Sequence, residues 1–165
     1  MATIYLAAGC FWGTQKFFDQ FDGVLSTQTG YANGNTENPS YEDVKHHHSG
    51  HAETVKIDFD ESRISIEKLL DYYFMIINPV SVNKQGEDEG EQYRTGIYYA
   101  DEFLLPAVAA VVRKQEEKIG AKLAVEVLPL KNFYTAEEYH QKYLDKNPGG
   151  YCHIKPSLFK LASKA

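Results

Sequence analysis

Apolar and polar positions along the first part of the chain alternate in a way that predicts strands and helices in turn. Residues 3–8 form a short apolar run that stops abruptly, which is typical of a buried strand. Residues 12–21 follow with helical spacing. Residues 24–32 predict a second strand, which the turn pair Asn33-Gly34 closes.

The middle of the chain continues this pattern after a polar connection over residues 35–50, which includes a short helix at 41–44. Residues 51–59 alternate cleanly between apolar and polar, so this third strand has one buried face. Residues 66–77 carry their apolar side chains on one side of a helix. That helix ends because Pro79 disfavours helical geometry in the residue before it.

The remaining segments are shorter. Residues 80–94 contain four acids and two glycines and predict a surface loop, and residues 95–99 predict a strand. The next helix becomes regular at Pro106 and runs to Ile119, because proline is tolerated in a first turn. Residues 123–128 predict a last strand.

A final helix is predicted from a capping box, Thr135 with Glu138, up to the turn at residues 147–150, and the tail beyond shows little periodicity. Paired strands interrupted by helices favour an α+β fold over a doubly wound parallel sheet. We therefore expect a two-layer sandwich with a ferredoxin-like β-α-β-β-α-β core and an irregular C-terminal tail. The 165 residues, with a mass of 18.7 kDa, predict a single catalytic domain over 1–165.

Composition and charge argue against several classes of function. The net charge is −6, with no basic stripe that could follow a phosphate backbone, so a nucleic-acid partner is not expected. No apolar run approaches the ~18 residues of a membrane span, and the first ten residues lack the positive region of a secretion signal. Two cysteines 142 positions apart are neither a disulfide framework nor a metal clip, which suits a reducing cytoplasm.

Cys10 is the first candidate for chemistry. It lies where the first strand gives way to the first helix, between Gly9 and the aromatic pair Phe11 and Trp12. Free N–H groups at the positive end of a helix stabilise a thiolate, so we expect a pKa below the ~8.5 of a free thiol. The alternative is a small buried hydrophobic residue, with both aromatics simply in the core.

Glu53 is the second candidate because the alternation of the third strand puts it on the apolar face with His51 and Val55. An ionised carboxylate is costly to bury without a partner, so we expect Glu53 to stay protonated near neutral pH and to serve as a proton donor. The alternative is a strand-end carboxylate just outside the core.

Two further features stay open. Cys152 follows a stretch with two glycines, where a mobile second thiol could reach the first, but it could equally be a spare exposed cysteine. The cluster His46, His47, His48 and nearby His51 could bind a metal, although no cysteine or acid completes a ligand set at a known spacing. A solvated polar loop is the simpler interpretation of that cluster.

An ordered set of motifs runs along the chain: Gly9-Cys10-Phe11-Trp12-Gly13, Gly30-Tyr31-Ala32, Asn38-Pro39-Ser40-Tyr41, Gly50-His51-Ala52-Glu53, Gln92-Tyr93-Arg94, Tyr139-His140-Gln141 and Lys146-Asn147-Pro148. From about residue 5 to residue 154, this set resembles one family, the A-type peptide methionine sulfoxide reductases. A single tetrapeptide carries little weight, whereas the ordered set is highly specific.

The resemblance implies reduction of methionine-S-sulfoxide, free or in proteins, with electrons from thioredoxin and no bound cofactor or metal. It also implies a role in protein repair under oxidative stress. Cys10 corresponds to the nucleophile, Glu53 to the acid that protonates the sulfoxide oxygen, and Cys152 to the recycling cysteine. The other implied site residues are Tyr41 and Tyr93, which hydrogen-bond that oxygen, Phe11 and Trp12, which form the methyl pocket, and Asp88 and His140, which line or support the site.

Two departures from the family pattern are visible. Many relatives have a cysteine where this chain has Lys45, and some have a second recycling cysteine beyond Cys152. This chain has two cysteines, so a two-cysteine cycle is expected. The other hypotheses are a different thiol enzyme, such as a peroxide reductase or a cysteine-dependent hydrolase, and a histidine-rich metal-binding protein.

Overall fold

A mixed α/β fold is built around one central sheet. The computed structural model describes residues 1–46 and 48–162. The strands are β1 (Ala2–Ala8), β2 (Val24–Ala32), β3 (Ala52–Phe59), β4 (Lys84–Gln85), β5 (Asp88–Glu89), β6 (Thr95–Tyr99), β7 (Glu126–Pro129) and β8 (Phe133–Thr135). The α-helices are α1 (Phe11–Phe18), α2 (Tyr41–His46), α3 (Ile66–Met75), α4 (Leu105–Ile119), α5 (Tyr143–Lys146) and α6 (Pro156–Ala162), with 3₁₀ turns at Glu91–Tyr93, Glu102–Leu104 and Glu138–His140.

The central sheet has six strands in the order β7-β6-β1-β3-β2-β8. Its pairs are antiparallel except β6 with β7, which is parallel. The short strands β4 and β5 form a separate hairpin. β1 lies near the middle of the sheet because its apolar run can be buried on both faces.

The two faces of the sheet bury different sets of side chains. Ile4 and Leu6 of β1 belong to the main core, which packs against the aromatic face of α1 and the apolar face of α3. Ala7, the residue after Leu6, belongs to a smaller cluster on the opposite face. Ser65 caps α3 by accepting a hydrogen bond from the backbone N–H of Lys68, which fixes where that helix begins.

Most predicted elements are present with shifted ends. The first helix ends at Phe18, not at residue 21, and the third at Met75, not at 77. The last predicted strand starts at Glu126, not at residue 123. The loop over residues 80–94 contains the β4-β5 hairpin and a 3₁₀ turn.

Two predictions for the C-terminal part are wrong. The capping-box helix at Thr135 is absent, because Thr135 pairs with Gly30 as the last residue of β8 and sheet pairing overrides the local helix signal. The tail is not irregular throughout, since α6 forms at Pro156, a residue suited to a first helical turn. None of the helices over residues 1–46 and 48–162 has the length and apolarity that crossing a bilayer requires.

Candidate active site

Cys10 lies at the junction of β1 and α1, as the N-cap residue of the helix. Gly9 makes this junction possible. Its φ of +83° is in the left-handed region, and a Cβ there would lie 2.8 Å from the Cβ of Gln85. The Cys10 side chain is 6% exposed, so the thiol is nearly covered by the protein.

The pKa of Cys10 differs from the prediction, which was wrong in direction. Burial raises this pKa well above its ordinary value, and the nearby carboxylate of Glu53 raises it further. The nearby backbone N–H of Trp12 lowers the pKa, but one helix-terminal N–H group does not offset the loss of water around a thiolate. Cys10 is therefore a protonated thiol in the substrate-free chain at neutral pH.

Glu53 is buried in β3, as predicted, with 1% of its surface exposed. Its Oε1 accepts a hydrogen bond of 3.2 Å from the backbone N–H of Phe11, the first residue of α1. Its Oε2 is buried with no hydrogen-bond partner in the described part of the chain. Burial raises the pKa of Glu53 to about 8, so the carboxyl group carries a proton at neutral pH.

Tyr41 and Tyr93 bring two phenols toward the same carboxyl group. Tyr41 is the first residue of α2, Tyr93 ends a 3₁₀ turn, and the two hydroxyls interact with each other. Burial and the charge of Glu53 raise the pKa of Tyr41 to about 12 and that of Tyr93 further. Both hydroxyls therefore remain donors throughout the neutral range.

Phe11 and Trp12 have different surroundings. Phe11 is 1% exposed, and its ring packs on Tyr31 and His140 from inside the protein. Trp12 is half-buried, stacks on Tyr143 at 3.8 Å between ring centroids and donates its indole N–H to His140 Nδ1 at 2.9 Å. Burial lowers the pKa of His140, so this imidazole is neutral and accepts through Nδ1.

Asp88 and Cys152 reach the site from the hairpin and the C-terminal segment. Asp88 is half-buried in β5, and burial raises its pKa although a hydrogen bond from Tyr151 opposes the shift. Cys152 is a half-buried free thiol, and burial also raises its pKa. The structure thus gathers around Cys10 residues that are up to 142 positions away in the chain.

Sequence reasoning missed two residues that shape the site. Glu137 accepts one hydrogen bond from the Tyr31 hydroxyl and another from the backbone N–H of Tyr41. Tyr151 hydrogen-bonds Asp88. Glu137 lies beside the misleading capping box, and Tyr151 had no periodic pattern to mark it, so neither gave a usable signal.

The histidine cluster does not come together as a ligand set. His51 is buried, with Nε2 2.8 Å from the carbonyl oxygen of Thr36, while His46 pairs with Glu42 at 3.5 Å on the surface of α2. His47 lies outside the described residues. Among residues 1–46 and 48–162, no three histidine, cysteine or acidic side chains are grouped so that they could hold a metal ion.

Comparison with known proteins gives consistent matches over the chain. A family model described as peptide methionine sulfoxide reductase matches residues 2–164. The peptide methionine sulfoxide reductase MsrA of Lachnoclostridium phytofermentans is 56% identical over 163 residues, which cover 99% of this chain and 98% of that protein.

Solved structures give a similar result. Mxr1 from Saccharomyces cerevisiae in its reduced form matches with a TM-score of 0.87 and 37% identity over 93% of this chain and 90% of that one. Mxr1 in complex with Trx2 matches with a TM-score of 0.60 and 26% identity, over 86% and 83% of the two chains.

Proposed function

The chain belongs to the peptide methionine sulfoxide reductase family, and we propose that it reduces methionine-S-sulfoxide through Cys10, with Glu53 as the proton donor. One observation carries this assignment of roles. A buried carboxyl group with a pKa of about 8 accepts a hydrogen bond from the residue next to a buried thiol. The two groups thus share the N-terminal turn of α1.

The first step transfers oxygen from the substrate to Cys10. The sulfoxide oxygen is a poor leaving group until it is protonated, and Glu53 Oε2 is the buried oxygen with no other partner. The Cys10 sulfur forms a bond to the substrate sulfur as the protonated sulfoxide oxygen departs as water. The oxygen of that water then bonds to the Cys10 sulfur, its released proton returns to the site, and the sulfur–sulfur bond breaks. Methionine leaves and Cys10 becomes a sulfenic acid, so the thiol is oxidised by two electrons while the sulfoxide is reduced by two.

The protonation states of the two groups support this order of events. Without substrate, burial holds both Cys10 and Glu53 in their neutral forms. Protonation of the oxygen must accompany loss of the Cys10 proton, and the Glu53 carboxyl group can relay that proton. General acid catalysis of this kind typically contributes ~10²- to 10⁴-fold in rate.

The surrounding side chains fit substrate binding. Tyr41 and Tyr93 retain their protons and can donate to the sulfoxide oxygen as charge develops on it. The half-buried Trp12 offers apolar surface for the methyl group, and the buried Phe11 packs on His140, the residue that also binds the Trp12 indole. His140 holds the Trp12 ring through its Nδ1, and Asp88 borders the site, which supports both as substrate-pocket residues.

The second step regenerates the thiol. Cys152 attacks the Cys10 sulfenic acid, the sulfur–oxygen bond breaks, and a Cys10–Cys152 disulfide forms with release of water. Thioredoxin then reduces this disulfide by thiol–disulfide exchange. The complex of the similar protein Mxr1 with Trx2 supports this reductant.

We further propose the finer description of the fold and its setting. The strand order β6-β1-β3-β2, with α1 and α3 as the connecting helices, supports a ferredoxin-like β-α-β-β-α-β core in a two-layer sandwich. The match over residues 2–164 supports one catalytic domain over 1–165. Two free thiols support a reducing cytoplasm as the location.

A stereo-resolved assay tests the function. We expect the reduced chain to convert the S epimer of methionine sulfoxide and leave the R epimer, and Cys10→Ser to abolish conversion. Cys152→Ser should release about one methionine per chain and then stall with thioredoxin, because the sulfenic acid has no resolving thiol. Sustained turnover of Cys152→Ser at the parent rate with thioredoxin contradicts the recycling role.

A further inference from the structure

Gly13, the third residue of α1, lies directly under the sulfur of Cys152. A Cβ at this position would be 2.6 Å from Cys152 Sγ, whereas ordinary contact begins at 3.4 Å. The next neighbours, Ile154 Cδ1 at 3.4 Å and Cys152 Cβ at 3.8 Å, would be in normal contact. The sulfur of Cys152 therefore occupies the space that the side chain of any other residue would need.

This space is next to Cys10. Cys10 is the N-cap residue of α1 and stands three positions before Gly13, so both residues belong to the first turn of the helix. The backbone N–H of Trp12 is close enough to Cys10 to lower its pKa, and the two cysteines are close enough to influence each other's ionisation. The two sulfurs thus border the same first turn.

Nothing in the backbone of α1 requires glycine at this position. The φ of Gly13 is not positive, and glycine within a helix is less favourable than alanine. The glycine in this helix therefore needs another explanation. The close approach of the Cys152 sulfur provides one.

Cys152 is held at this position by its neighbours. Ile154, two residues on, is 4% exposed and part of the main core, and the Cys152 Sγ–H points to the Ile154 carbonyl oxygen at 3.8 Å. The half-buried sulfur is therefore already packed on α1 before any oxidation of Cys10.

We propose that Gly13 is a positioning residue for the recycling step: its missing side chain seats the Cys152 thiol beside Cys10, ready to attack the sulfenic acid. This inference rests on the proposed function. In the step concerned, Cys152 sulfur bonds to Cys10 sulfur, the Cys10 sulfur–oxygen bond breaks, and the hydroxyl leaves as water with the Cys152 proton. Cys152 is oxidised and Cys10 is reduced, without any other reactant.

The test separates the two steps in Gly13→Ala. A single turnover with methionine-S-sulfoxide is quenched at intervals, and methionine release and loss of free thiols are measured in the same samples. We expect methionine release at the parent rate and disulfide formation slowed by about tenfold to a hundredfold, since displacing a reacting group by near 1 Å can have effects of that size.

Gly149→Ala is the matched control. Gly149 lies three residues before Cys152, has no atom within 4 Å of an added Cβ and is not in the left-handed region. It adds the same methyl group and stiffens the same segment without touching the sulfur, so both steps should keep the parent rates. Equal disulfide formation in Gly13→Ala and the parent overturns the proposal.

A thermal unfolding cycle supplies a readout that does not depend on activity. Gly13→Ala should lower the Tm when Cys152 is present and raise it in a Cys152→Ala background, because the sulfur is then gone and alanine favours the helix. The same Tm change in both backgrounds would also overturn the proposed contact between position 13 and the Cys152 sulfur. If instead the parent releases no methionine, the proposed function fails, while this cycle still tests the contact.

Discussion

The first turn of α1 serves two titratable groups with two successive N–H donors. Phe11 N–H donates a hydrogen bond to Glu53 Oε1, and the backbone N–H of Trp12 lowers the pKa of Cys10. Each donor favours the ionised form of its partner, yet burial is the larger effect on both groups and raises both pKa values. The two groups also repel each other when both are charged, so their ionisation is linked.

This linkage predicts opposite effects of Glu53→Gln on two reactions of the same thiol. Alkylation of Cys10 by iodoacetamide, measured against pH in a Cys152→Ser background, should have its midpoint above the ~8.5 of a free thiol. Glu53→Gln should lower that midpoint, because it removes a neighbouring negative charge. Reduction of the sulfoxide should instead slow by about 10²- to 10⁴-fold, because the proton donor is lost.

Glu87→Gln is the control for this pair of measurements. Glu87 is an exposed acid on the hairpin next to Asp88, so its replacement changes the net charge but removes no side chain of the site. Both the alkylation midpoint and the rate of reduction should stay near the parent values. An unchanged rate of reduction in Glu53→Gln contradicts the role of Glu53 as the acid.

Lys45, which stands where many relatives have cysteine, places a cation at the edge of the site. Its Nζ lies 5.6 Å from the centroid of the Tyr41 ring, and its charge lowers the pKa values of Glu53 and Asp88. Lys45→Met should therefore raise the pKa of Glu53, and Lys45→Arg should leave it near the parent value. Infrared titration of the protonated carboxyl band, taken as the difference from Glu53→Gln, measures this shift; equal pKa values in all three chains contradict it.

The residue types of the site could be found from the sequence, but their environments could not. The alternation of β3 correctly predicted that Glu53 is buried. The position of Cys10 at a helix N-terminus predicted a low pKa, which is wrong because the depth of burial depends on β3, the hairpin and the C-terminal segment together. Hydrophobic periodicity describes one element at a time, so it cannot show how segments distant in sequence bury the Cys10 side chain.

At the scale of elements, Glu137 joins three parts of the fold. Its two oxygens accept hydrogen bonds of 2.8 Å from the Tyr31 hydroxyl in β2 and 2.9 Å from the backbone N–H of Tyr41 at the start of α2. Burial alone would raise the pKa of Glu137, but these hydrogen bonds lower it overall, so the carboxylate is charged. A negative charge at a helix N-terminus is favourable, and here it fixes where Tyr41 stands.

Glu137→Ala should loosen the start of α2 and slow the chemistry. Loss of both hydrogen bonds should reduce the free energy of unfolding by about 1–3 kcal/mol and increase hydrogen exchange of the α2 amides. The single-turnover rate should fall because Tyr41 loses its fixed position. Glu138→Ala is the control, since the Glu138 side chain is 91% exposed. It should change neither the free energy of unfolding, nor the α2 exchange, nor the single-turnover rate. Parent-like α2 exchange in Glu137→Ala would contradict the role of Glu137 in fixing the start of α2.

The same region shows why some elements were missed. Thr135 and Glu138 match a capping box, but residues 133–135 complete the sheet by pairing with β2. The backbone of Thr29 also binds the side chain of Gln141 through both its N–H and its carbonyl group. These contacts join positions more than a hundred residues apart, so no local pattern can reveal them.

At the scale of the whole molecule, the strand order brings the site together. β1 carries Cys10 at its end and lies between β3 and β6, so Glu53 and the segment around Tyr93 are both its neighbours. The sequence predicted each of these strands but not the outer positions of β7 and β8, which depend on pairing across long connections. The C-terminal segment then covers the site and supplies Cys152.

Burial of Glu53 also links the pH to the stability of the whole fold. The pKa of Glu53 is about 8 in the folded chain and close to 4.5 when unfolded, so folding takes up a proton between these values. The contribution of the Glu53 carboxyl group to the free energy of unfolding is therefore fully present below pH ~4.5 and is lost as the pH rises toward 8.

This loss should be absent in Glu53→Gln. Between pH 5 and pH 8 the parent should lose about 3 kcal/mol more unfolding free energy than the variant, since each pKa unit corresponds to about 1.4 kcal/mol. Urea unfolding of both chains at several pH values measures this difference, and because it compares two chains, the other titrating groups cancel. Glu138→Gln, which removes an exposed carboxyl group, should follow the parent curve. Parallel curves for Glu53→Gln and the parent would mean that the fold does not hold this carboxyl group protonated, and the proton donor of the proposed reaction would then have to be sought elsewhere.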